Sequence, residues 1–187
     1  MRGLALGLTA LLAASTVGGC AIDSAAVGGI LGRPLAAATV AVDGRAAARA
    51  ISAYRASRGL PPVTVDQRLT QIAADHARLM ARANRLAHVL PGEGSFSRRI
   101  DAGGFEASVA AENIGAGYES LAAALEGWQR SPAHDANLLK PEVTLIGIAA
   151  STAPESTYGT YWSLVLAAPY TPPPSGLSAG PFVPIAR

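Results

Sequence analysis

The sequence predicts an α+β fold, about four helices around a small antiparallel sheet, and three observations carry that expectation. Apolar residues recur at helical spacing over most of residues 43–130. Two short runs rich in Ile, Leu and Val follow late, at 144–150 and 161–166. Strand and helix patterns do not alternate as a doubly wound sheet would require.

The N-terminus reads as an export signal. Met1-Arg2 carries a positive charge, and Leu4 to Val17 is an uncharged run of mostly Leu, Ala and Gly. That run is short for a bilayer span and ends in small residues, as a cleavable signal does. Val17-Gly18-Gly19-Cys20 looks like the lipobox of bacterial lipoproteins, whose cysteine is acylated after cleavage. Cys20 is the only cysteine in the chain. We therefore read residues 1–19 as a lipoprotein signal peptide and Cys20 as the lipidation site; the plainer alternative is a secretory peptide with an incidental cysteine. Each buried CH₂ of an attached lipid would contribute about 0.8 kcal/mol to membrane binding. With one cysteine there is no internal disulfide, so packing must hold the fold.

Residues 20–42 are small and weakly patterned, which suits a flexible linker between an acylated Cys20 and the folded body. Asp43 is placed to cap a first helix running to Gly59, with Ala47, Ala50, Ile51 and Tyr54 as its buried face. Leu60-Pro61-Pro62 ends it. Thr64 with Gln67 three positions on suggests a capping box for a second helix. Leu69, Ile72, Ala73, Met80 and Ala83 would form its inner side, opposite Arg78, Arg82 and Arg85. Ser95 or Ser97 opens a third helix that Gly103-Gly104 ends. Ser120 caps a fourth, with Leu121, Ala124, Leu125 and Trp128 as its stripe.

Strands are expected at 144–150 and 161–166, joined by a hairpin loop over 151–159, with a further strand at 108–114. After Tyr170 a Pro-rich tail, 171–187, is expected to be disordered. The folded body is thus placed at 43–170 and read as a monomer. Charge is nearly balanced, 15 Lys and Arg against 13 Asp and Glu. No concentrated basic surface is visible, which argues against nucleic-acid binding.

Three segments place chemistry-bearing side chains beside residues that turn or cap the backbone: His88 before Pro91-Gly92, Glu112-Asn113-Ile114-Gly115, and Ser131-Pro132-Ala133-His134. Of the three histidines, His76 lies within the second helix's apolar face, where a core residue satisfied by one hydrogen bond is the favoured reading over a ligand. Glu112 lies among apolar neighbours, and a carboxylate buried there needs a partner, for which a nearby histidine or a metal ion would serve. His134 sits at a helix start, with Ser131 as cap and Pro132 in the first turn. Taken singly, each of His88, Glu112 and His134 reads as structural; the joint pattern raises them to cleft candidates.

In order and spacing these segments resemble the CAP superfamily (cysteine-rich secretory proteins, antigen 5, pathogenesis-related 1) in its short bacterial form. The resemblance runs from Asp43 to Tyr170. It includes Asp75-His76-Ala77, His88 with Pro91-Gly92, Arg98 or Arg99, Gly104-Phe105 and Glu112-Asn113-Ile114. It continues through Trp128-x-x-Ser131-Pro132-x-His134, Asn137-Leu138-Leu139, Gly147 and Tyr161-Trp162. It implies a three-layer α-β-α sandwich enclosing a shallow cleft. Many eukaryotic members carry two histidines and two glutamates there, able to bind zinc. The first of each carries over to His88 and Glu112, whereas Ser131 and Thr160 stand where the others would be. The Ser-Pro-x-His segment of bacterial members implies that His134 would enter the same cleft from a different backbone position. His88, Glu112 and His134 would then suffice for zinc with one open position, and such a site could activate water; an empty cleft with Glu112 paired to imidazole is the alternative.

No His-Glu-x-x-His helix is present, and the Gly-x-Ser-x-Gly string at Gly176-Leu177-Ser178-Ala179-Gly180 lies in the Pro-rich tail rather than at an expected strand-to-helix turn, so no hydrolase mechanism is spelled out. The resemblance implies foremost a non-enzymatic, extracytoplasmic module held to the membrane through Cys20 and binding a lipid, glycan or protein. A metal-dependent hydrolase of envelope peptide or polysaccharide and a purely structural envelope protein are the alternatives.

Overall fold

The computed structural model describes residues 34–172. The signal peptide, Cys20, the linker up to residue 33 and the tail from residue 173 lie outside the described residues. Elements run β1 (Ala38–Val40), α1 (Gly44–Ala56), β2 (Thr64–Val65), α2 (Gln67–Ala83), α3 (Phe96–Ala102), β3 (Ala107–Ala116), α4 (Leu121–Arg130), α5 (Pro132–Leu138), β4 (Leu145–Ala153) and β5 (Gly159–Pro169). The sheet order is β1-β4-β5-β3, and its long pairings are antiparallel. The two-residue β2 is added in parallel at the start of β4. No described helix is long and apolar enough to cross a membrane.

Both faces of the sheet are covered. On one side Ile146, Ile148, Ala150, Trp162, Leu164 and Leu166 pack with α1, α4 and α5 residues including Ile51, Trp128 and Leu138. On the other, Ala149, Val165 and Ala167 meet Leu69, Ile72 and Ala73 of α2 and Ile100 of α3. Strands buried on both faces read as continuous apolar runs, which is why β4 and β5 were visible in the sequence as runs without alternation. Both extend further than the sequence suggested, leaving only residues 154–158 as the hairpin loop.

Asp43 caps α1 by accepting from Ala46 N. The buried face is rotated from expectation: Ala47, Ala48, Ile51 and Arg55 are buried, Tyr54 is half-buried and Ala50 is exposed. Arg55 is wholly buried and its guanidinium donates to the carbonyls of Pro61, Leu138, Lys140 and Val143. It ties the end of α1 to the segment between α5 and β4.

Asp66, not Thr64, caps α2, accepting from Arg68 N and Leu69 N. A carboxylate directly ahead of the first helical residue outcompetes a hydroxyl two positions further away, and Thr64–Val65 is left extended against β4. Ala83 is exposed, because Asn84 takes the left-handed conformation (φ 48°) and ends the helix at that turn. α3 follows expectation, with Ser95 as cap and Gly103 at its end, and so does α4 with Ser120. Ser131 and Pro132 do open a further helix, α5, but the Ser131 side chain makes no capping bond. Within the segment read as a flexible linker, Ala38–Val40 forms an edge strand, and Ser151 Oγ donates to Ala38 O. Pairing there covers the exposed backbone of β4.

Gly147 of β4 sits directly beneath the first turn of α2, where a Cβ would be driven into the backbone of Leu69 and Thr70. Gly147→Ala should therefore cost about 3 kcal/mol by forcing α2 off the sheet. A urea midpoint unchanged from wild type would show that α2 does not rest on β4 as described.

Candidate functional site

The site is built across β3, the strand at the open edge of the sheet. Successive side chains of a strand point to opposite faces. Glu112 accordingly meets α3, whereas Asn113 meets α5. Two outer carbonyls of this edge are taken by side chains: Trp128 Nε1 donates to Ile114 O at 3.0 Å and Asn137 Nδ2 to Glu112 O at 3.3 Å. α4 and α5 thereby close an edge that would otherwise offer unpaired backbone.

Glu112 is buried and fully engaged. Arg99 of α3 holds it with two parallel bonds, Nη1 to Oε1 at 2.8 Å and Nη2 to Oε2 at 3.1 Å. His88 Nδ1 lies 2.9 Å from Oε2, and Arg99 Nη2 also donates to the His88 carbonyl. One guanidinium thus fixes both the carboxylate and the loop that carries the imidazole. Burial alone would push the Glu112 carboxyl up, but the Arg99 hydrogen bonds and the nearby His76 outweigh it and hold it below the usual 4.5.

Behind this pair lies a second carboxylate. His76, fully buried on α2, sits with Nδ1 2.6 Å from Glu93 Oε1 and Nε2 3.8 Å from Glu112 Oε2. The sequence reading of His76 as a core residue with one hydrogen bond describes this position, but it missed that the partner is a carboxylate belonging to the site. Glu93 also lies 3.5 Å from Arg99 Nε. It is aimed inward by a loop wound through Gly92 and Gly94, both at positive φ. That pair of glycines around a lone acid is the signal that would have found it. Arg99 was visible only as part of the family resemblance.

His134 is not joined to Glu112. Its main-chain carbonyl accepts from Asn113 Nδ2 at 3.0 Å, and Asn137 Nδ2 donates in turn to Asn113 Oδ1 at 2.9 Å. Its imidazole titrates lower than usual, first because it is half-buried and second because the cation of His88 repels its own. His88→Ala should raise the His134 pKa toward 6.5, readable by NMR titration; no movement would place the rings in separate environments.

The sequence profile described as the CAP, cysteine-rich secretory protein family matches residues 48–166. The chain belongs to that family. Over 94 residues it is 33% identical to YlbC, an uncharacterized membrane protein of Bacillus subtilis (strain 168), covering 50% of this chain and 27% of that protein. An extracellular SCP-domain protein of Bacillus anthracis superimposes with a TM-score of 0.59 at 26% identity, over 66% of this chain and 39% of that one. An outer surface protein of Borrelia burgdorferi shares the fold at 16% identity, with a TM-score of 0.64 over 72% of this chain and 100% of its own. The chain thus spans well under half the length of the first two.

Within this CAP domain the zinc set of His88, Glu112 and His134 does not fit a three-ligand site. Both Glu112 oxygens face Arg99, and His88 Nδ1 points to the same carboxylate. Among the described residues no group of three or more His, Cys, Asp or Glu could hold a metal ion. What the arrangement provides is a buried acid held rigidly by arginine, with His88, whose side chain is 55% exposed, presented above it.

Proposed function

We propose that this CAP domain is a non-enzymatic binding module of the bacterial cell envelope. In this reading it is exported by residues 1–19, anchored through acylated Cys20, and binds a lipid, glycan or protein through the cleft bordered by His88 and His134. The observation that carries the reading is the bidentate Arg99–Glu112 pair. A general base needs a free lone pair near the substrate proton and a pKa close to working pH; Glu112 has its oxygens engaged and its pKa lowered. The cluster divides instead into a buried half that holds the fold and an exposed half that can meet a ligand. The membrane, extracellular and outer-surface descriptions of the similar proteins support the location.

The test is co-sedimentation of the full chain with purified cell-wall sacculi and with vesicles of envelope lipid. Wild type should bind one of them without releasing soluble fragments, and His88→Ala and His134→Ala should weaken binding about tenfold while the fold is kept. Fragment release that disappears in Glu112→Gln and on chelation would favour the hydrolase instead. Binding to neither surface would leave a structural role.

A further inference from the structure

On the α2 side of the sheet, α2 and α3 enclose a groove of about 630 Å³. It follows α2 from Gln67 to Arg82, and at about 1.5 Å per residue it is roughly 22 Å long. Its apolar floor includes Ile72 and Leu79, and Gly103 brings α3 so close that a Cβ there would strike Ile72. Arg68, Arg78 and Arg82 stand along it on one helix stripe, with Arg99 at its inner end.

Three features say what this groove accepts. The first is charge. The two carboxylates among its lining residues are already engaged, Asp75 by Arg78 and Glu93 by His76 and Arg99. Arg82 has no carboxylate within ion-pairing distance among the described residues. The second is a pair of buried polar atoms. Glu93 Oε2 has no hydrogen-bond partner among the described residues, and Arg99 Nε has only its 3.5 Å ion pair with Glu93 Oε1 and no hydrogen bond, although their side chains are only 8% and 7% exposed. One accepts and the other donates, which matches the N–H and C=O of a peptide backbone. The third is the lack of any aromatic residue in the lining, which leaves a sugar ring no flat face to stack on.

We propose that the α2–α3 groove binds an extended peptide of about six residues that alternates apolar and acidic side chains. The length follows from the groove at about 3.3 Å per residue, and the alternation from the period of an extended chain. Apolar side chains meet Ile72 and Leu79, an acidic one meets Arg82, the arginine of the stripe whose neighbours Arg68 and Arg78 already pair with Asp66 and Asp75, and one backbone unit satisfies Glu93 and Arg99. Neither His88 nor His134, the residues of the proposed binding surface, lines this groove. Arg99 belongs to both surroundings: its Nη1 and Nη2 hold Glu112, its Nε lies 3.5 Å from Glu93 Oε1, and it lines the groove.

The probe is a fluorescein-labelled peptide of three Leu-Glu repeats, titrated by anisotropy against the full chain. Saturable binding is expected, about tenfold weaker in Leu79→Gln and in Arg82→Glu, and about tenfold weaker for a Leu-Lys peptide on wild type. Arg45→Glu, on the separate depression beside α1, should leave binding unchanged. Leu79 and Arg82 face solvent at least in part, so these variants should melt as wild type does. No saturation by about 1 mM protein, equal binding of the Leu-Lys peptide, indifference to both groove variants, or displacement by a neutral N-acetylglucosamine hexamer would overturn the proposal. None of these outcomes bears on the cleft, whose variants are His88→Ala and His134→Ala.

Discussion

Arg55→Met should destabilise the domain by about 3–5 kcal/mol, the largest effect expected of any single side chain outside the site. The methionine would fill much of the arginine's volume, but the carbonyls of Pro61, Leu138, Lys140 and Val143 would lose their donor. A buried acceptor left unsatisfied costs about 1–3 kcal/mol, and neighbouring losses do not add in full. Since small domains hold only about 5–15 kcal/mol in total, the variant should sit close to unfolding. The effect reaches the site as well, because Arg55 secures the end of α5, the helix that carries His134. Urea denaturation checks the magnitude; a loss below about 1 kcal/mol would mean that water replaces the guanidinium at little cost.

Glu112→Ala should cost about 3–5 kcal/mol for a different reason: it leaves the Arg99 cation buried without its carboxylate. Arg99→Ala should cost a similar amount. Replacing both residues with apolar ones of similar volume should cost clearly less than the two single changes summed, and a double-mutant cycle measures the difference. His88→Ala should cost about 1 kcal/mol or less, since that side chain is half in water. The pH dependence follows from the lowered Glu112 pKa. Its contribution is complete above the unfolded value near 4.5 and is lost as pH falls through the lower folded value. Glu112→Gln should therefore flatten the acid limb of the stability profile. An unchanged limb would contradict the assignment.

Much of the architecture was legible in the sequence because its signals are local. Asp43, Ser95 and Ser120 cap helices from the residue immediately ahead of them, and the apolar runs of β4 and β5 announce strands buried on both faces. What was illegible depends on partners distant in the chain. Arg55 looks like a solvated helix residue until carbonyls more than 80 positions away converge on it. β1 has three weakly patterned residues and exists because β4 offers an open edge. At the site, His88 and Glu112 are in hydrogen-bond contact, whereas Arg99 and Glu93 carried no role in the sequence. Their meaning arises only when α2, α3 and β3 meet. Alternation along β3 puts the Glu112 and Asn113 side chains on opposite faces, and α5, which carries His134, follows Asn113.

The most direct measurement is a calorimetric zinc titration of the full chain, comparing wild type with His88→Ala and His134→Ala. With Glu112 held by Arg99, the account predicts no stoichiometric binding that depends on both histidines. Binding with a Kd of about 1 μM or tighter, abolished in both variants, would contradict it and return His88 and His134 to metal chemistry.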